Sequence, residues 1–163
     1  WSRGSCSVSA SAHAARSLNL KADFALGPRR VCFRSCESEM RQQYHFRKSS
    51  AGLLAWDVKR LVELSQQLPR ERVPLTEIRE LDEPYWSLDG EPPTCRDIVE
   101  HAKLISECDF EYPVILCSQG RVMDGMHRIC KALLLGQGDI AAVRFAVDPQ
   151  PDYVGVTPDN LSY

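Results

Sequence analysis

Pro113-Val114-Ile115-Leu116-Cys117 is the stretch that most restricts how this chain folds. An apolar run this short, bounded by turn-forming Ser118-Gln119-Gly120, reads as a buried strand rather than a helix. Arg121-Val122-Met123 follows as a second short strand, so the two predict a hairpin. Asp124-Gly125 ends it. From Met126 onward Ile129, Ala132, Leu133 and Leu135 recur at helical spacing, and Gly136 supplies the stop. A last strand is predicted over 140–147.

The same reasoning extends upstream. Ser49 and Ser50 are good N-cap residues, and Leu54, Val58, Leu61 and Leu68 share one helical face. A helix is therefore predicted over 50–67, stopped by Pro69. Val73 to Ile78 alternates apolar and polar and predicts a strand, with Pro74 favouring an edge or first-strand position. Arg79 to Thr94 reads as a long loop containing Tyr85 and Trp86; long ordered loops in compact domains are often functional, and the plainer reading is that the two aromatics cover one end of the core. Thr94-Cys95-Arg96-Asp97 is a capping-box variant with Asp in the place of Glu or Gln. The stripe Ile98, Ala102, Ile105 and Cys108 carries that helix to residue 108. Asp148-Pro149-Gln150-Pro151-Asp152 breaks structure, and the tail is expected to lie on the domain. The order of elements predicts a small α+β, or mixed α/β, domain.

Composition divides the chain at Met40. Residues 1–39 hold six Lys/Arg and three Asp/Glu, net +3, with eight serines and three of the seven cysteines. Residues 40–163 hold fourteen and nineteen, net −5. The first part is expected to be a loose Ser/Ala-rich leader, non-native ahead of a natural start at Met40, although its Arg-rich character also resembles a transit peptide. Cys6, His13, Cys32 and Cys36 have poor spacing for a metal cluster. The remainder is expected to be one domain. Seven cysteines, an odd number with no C-x-x-C, argue against a disulfide framework and favour a cytoplasmic setting. No apolar run reaches the roughly 18 residues of a membrane span.

The chemistry concentrates in Gly120-Arg121-Val122-Met123-Asp124-Gly125-Met126-His127-Arg128. A strand here feeds through a glycine into a helix. The first turn of a helix presents free N–H groups and a positive dipole end, which bind anions. Gly125, Met126, His127 and Arg128 are the candidate phosphate-binding residues, with Arg121 reaching a second phosphate. Asp124 and His127 are the candidate catalytic groups. Asp124, with Glu80 and Asp82 in the acidic loop, is the candidate metal set. A plainer explanation stands beside each: Asp124 a cap, His127 at the surface, Arg128 and Arg121 in ion pairs, and Glu80, Asp82 and Glu83 a solvated acidic loop. His101, next to Glu100, is expected to be exposed. Cys117 and Cys130 read as small core residues, and a Cys130–His127 pair at i, i+3 is a further alternative.

The segment from Tyr112 to Phe145 resembles the ParB/sulfiredoxin superfamily. PVILC, GRVMDGMHR, ICKALLLG and DIAAVRFAV occur in the order of that family's hairpin, turn, helix and last strand, and VPLTEIREL resembles its first strand. The likeness covers residues 73–147, and DGMHR is its most specific part. It implies a small mixed sheet with packed helices that binds nucleotide phosphates at this turn. ATP, ADP or CTP with Mg²⁺ are the implied cofactors, and a small phosphotransferase or nucleotide hydrolase is the implied activity. Met126 stands where sulfiredoxins carry their reactive cysteine, which argues against sulfinic-acid repair. The G-E-R-R of partition proteins is also absent, and about sixteen residues after the last strand leave no room for a helix-turn-helix. The alternatives are a non-catalytic module for DNA or a protein partner, or a metal-dependent nuclease. The acidic balance of 40–163 disfavours DNA and favours a small phosphorylated ligand.

Overall fold

The computed structural model describes residues 41–87 and 92–162. The readings made for residues 1–39 lie outside these. The fold is α+β, with seven strands and three α-helices among the described residues.

A four-stranded mixed sheet carries the core. Its strands are β3 (Arg70–Pro74), β4 (Val114–Leu116), β5 (Val122–Asp124) and β6 (Asp139–Arg144), in the order β3-β6-β4-β5. β4 and β5 form the expected antiparallel hairpin, and β4 runs parallel to β6. Parallel neighbours need a crossover, and α3 (Met126–Leu134) lies within it. Both faces of the sheet are covered. Val114, Leu116, Val122, Ile140 and Ala142 pack with Met126, Ile129 and Ala132 of α3 on one side. Ile115, Cys117, Met123, Val143 and Phe145 pack with Trp56 and Leu61 on the other. That double burial explains why Pro113–Cys117 is continuously apolar.

A smaller antiparallel sheet joins β1 (Tyr44–Ser49), β2 (Gly52–Asp57) and β7 (Tyr153–Val154) in the order β1-β2-β7. It overturns the helix predicted over 50–67. Ser49 closes a hairpin instead of capping a helix: its Oγ donates to Gly52 O at 2.7 Å and accepts from Ala51 N–H at 3.1 Å. Gly52 takes φ +101°, the left-handed region that this turn demands. The helix begins only at α1 (Val58–Ser65), capped by the Asp57 carboxylate on Lys59 N–H.

Other boundaries also move. The strand predicted over 73–78 lies earlier, at β3, which is an edge strand as Pro74 suggested. Pro74 ends the ladder, and the chain turns through two 3-10 turns, Leu75–Glu77 and Arg79–Asp82. The loop predicted from Arg79 therefore starts with structure. β6 stops at Arg144, short of 147. α2 (Cys95–Glu107) has the capping box read from Thr94 and Asp97, but it buries none of its residues. Its apolar stripe is not core. Among the described residues no helix is long and apolar enough to cross a membrane.

Candidate functional site

β5 and α3 meet at Gly125, which has φ +101°. A Cβ placed there would stand 2.7 Å from Val114 Cγ1 and 2.8 Å from Arg128 Nη2. Gly125 has no side chain with which to cap α3, and no side-chain hydrogen bond to the first-turn N–H groups occurs among the described residues. The turn borders an open groove of about 1170 Å³. β1 supplies another wall with His45 and Arg47, and residues 80–87 supply Glu80, Tyr85 and Trp86. His101 of α2 completes the rim beside His127.

The sequence-predicted residues other than Asp82 border this groove, but several are already paired. Arg128 Nη2 donates to Asp124 Oδ2 at 2.8 Å and to Pro113 O at 3.3 Å. Arg121 donates through Nε to Glu80 Oε1 at 2.8 Å and through both terminal nitrogens to Glu83. Hydrogen bonding to Arg121 holds the Glu83 carboxyl below its usual range. Arg121 is thus fixed between two carboxylates and not free for a second phosphate. Met126 is a core residue whose backbone, not side chain, belongs to the turn.

Glu80 is not part of a solvated loop. It is 3% exposed, and its Oε1 accepts the buried Val122 N–H at 3.0 Å. It braces β5 from beneath. Asp82 is exposed and does not border the groove. Asp124, Glu80 and Asp82 therefore do not form one metal-ligand set, and no cluster of three His, Cys, Asp or Glu suited to a metal occurs among the described residues.

Among the described residues four buried polar atoms have no hydrogen-bond partner: His45 Nε2, Arg47 Nη2, Glu80 Oε2 and Arg128 Nε. All four residues border this one groove. Buried polar groups are rarely left unpaired without a cause, and here water or a bound group in the groove can reach all four. Burial, reinforced by the charge of Arg47, pushes the His45 pKa down to about 4. Tyr85 is pushed up, first by burial and then by the Asp124 and Glu80 carboxylates.

The second feature of the site is an imidazole pair. His101 Nδ1 lies 3.0 Å from His127 Nε2. The ring centroids are 5.3 Å apart at 28°, the separation expected when both nitrogens lie on the line between the rings. That is the geometry of an N–H···N hydrogen bond with one shared proton. Burial lowers both pKa values, and each His127 charge state also feels His101. Trp86 stacks on His101 at 4.0 Å and on His127 at 5.2 Å. His101 is therefore a site residue and not a free surface group, and Trp86 belongs to the groove. Cys130 makes no such pair with His127; burial pushes its thiol up, away from the reactive thiolate.

His45, Arg47, Tyr85, Trp86 and His101 are the groove residues that sequence reasoning did not place there. The signal for Trp86 was present, since an aromatic pair inside an acidic loop is unusual. For His45 and Arg47 there was none, because the hairpin that carries them was not recognised. No protein-family model matches the chain, and no curated protein or solved structure is significantly similar to it.

Proposed function

We propose that the groove binds a small phosphorylated ligand, a nucleotide such as ATP, ADP or CTP, in the manner of a ParB/sulfiredoxin-type domain. One observation carries this reading: the α3 N-terminus without a side-chain cap opens on a groove that also holds four buried, unpartnered polar atoms. The N–H groups of Met126, His127 and Arg128 would hold phosphate oxygens, and Gly125 would let them approach the backbone. Arg128 Nε and Arg47 Nη2 supply further donors. Asp124, now paired with Arg128, would be the carboxylate to share a Mg²⁺ that arrives with the phosphates. In a phosphotransferase or nucleotide hydrolase, His127 would move the proton, and its bond to His101 would set the tautomer.

The test is calorimetric titration with ATP, ADP and CTP, each with Mg²⁺. Binding that weakens at least tenfold in Arg128→Ala supports the reading. A folded protein that binds none of the three refutes it. A module for a protein partner is the second reading, favoured by the exposure of Ile98, Val99, Leu133 and Leu134 on α2 and α3.

A further inference from the structure

We propose that Trp86 is a stacking platform for the planar base of the ligand, so that the groove holds a nucleotide by its base as well as its phosphates. This rests on the nucleotide reading above and names the part of the ligand that Trp86 holds. The two imidazoles behind Trp86 are joined by a 3.0 Å contact, with centroids 5.3 Å apart. Rings that close and nearly parallel lie side by side, so both cover the same face of the indole. Tyr85 meets Trp86 edge-on, at 6.0 Å and 82°. The indole is thus held from behind and from one edge. Even so, Trp86 is 42% exposed and borders the groove. A large aromatic ring that is held by stacked neighbours and still exposes part of its surface to a groove is what a base stacks against, and fixing it beforehand lowers the entropy lost on binding.

The placement also fits. His127 belongs both to the imidazole pair beneath Trp86 and to the first turn of α3, where the phosphates would sit. Platform and phosphate site therefore share a residue. Stacking on an aromatic side chain tolerates any base, because each has a π-face.

The experiment is calorimetry of wild type, Trp86→Phe and Trp86→Ala with three probes: ADP, pyrophosphate (each with Mg²⁺) and adenosine. The expected result is an ADP affinity reduced on the order of ten- to a hundredfold in Trp86→Ala. Pyrophosphate should stay within about twofold, and Trp86→Phe should recover most of the loss by keeping a flat ring. Undiminished ADP binding in Trp86→Ala overturns the proposal, as does an equal loss for ADP and pyrophosphate. Adenosine separates the two claims. If pyrophosphate does not bind wild type while adenosine and ADP bind equally and in a Trp86-dependent way, the phosphate reading falls and the platform stands. If pyrophosphate binds and ADP gains nothing over it, the platform falls and the phosphate site stands.

Discussion

Glu80→Ala tests whether the buried carboxylate beneath the turn is a strut or a chemical group. In the native structure Glu80 Oε1 accepts Val122 N–H at 3.0 Å and Arg121 Nε at 2.8 Å. Removing it strands a buried backbone N–H, which costs about 1–3 kcal/mol. Arg121 loses one partner but keeps Glu83, and at 32% side-chain exposure it is partly solvated, so its share is about 0.5–1 kcal/mol. The expected total is about 1.5–4 kcal/mol. For a domain of this size each kcal/mol lowers Tm by roughly 3–5 °C, giving a fall of roughly 5–20 °C. Glu80→Gln keeps an oxygen in place of Oε1 and loses only charge, so its cost should be about 1 kcal/mol. Urea denaturation with unchanged m-values reads both. A Glu80→Ala protein within 0.5 kcal/mol of wild type would refute the strut, as would Glu80→Gln matching Glu80→Ala. A carboxylate kept for chemistry alone would more often stabilise the fold when removed.

Two other outcomes follow from the same geometry. Gly125→Ala should cost about 2–4 kcal/mol, because positive φ strains an L-residue and the new methyl meets fully buried Val114. Gly136→Ala, at φ +69° with nothing within 4 Å, should cost only the strain, and equal losses in denaturant would contradict the tight packing under Gly125. Acidification should also destabilise the protein. His45 ordinarily titrates near 6.5 but in the fold near 4, held down by burial and Arg47 against the opposing charge of Asp148. Above pH 6.5 it is neutral in both states. Between about 6.5 and 4 the unfolded chain takes a proton that the folded one refuses, so stability falls as pH drops and levels off below 4. The full term is about 3 kcal/mol, and His101 and His127, both also lowered, act in the same direction. Denaturation at pH 7, 5.5 and 4.5 checks it, and a His45→Phe protein with the same slope would contradict it.

The parts legible in sequence are those governed by local rules. The run Pro113–Cys117, the hairpin, the Gly125 turn and the capping box at Thr94 depend on neighbours within a few residues. The hairpin at 44–57 escaped because neither strand alternates cleanly: Tyr44, His45, Phe46 and Arg47 are all partly buried, so no apolar face stands out. Leu54, Val58 and Leu61 then fell at helical spacing across a strand-to-helix junction. The imidazole pair escaped for another reason. His101 and His127 are 26 residues apart and meet only because α2 packs on α3. Likewise, nothing local to Glu80 says that its carboxylate reaches Val122, 42 residues on. The turn that carries the phosphate reading was visible; the walls that make it a groove were not.

The most direct test of that reading is to watch the backbone amides of the turn. In ¹H–¹⁵N correlation spectra, titration with ADP and Mg²⁺ should move the amides of Met126, His127 and Arg128 most, with Gly125 following. Their largest shifts must saturate with the calorimetric affinity. Saturating ligand that leaves these amides in place, or shifts only residues of α2, would contradict an anion site at the start of α3.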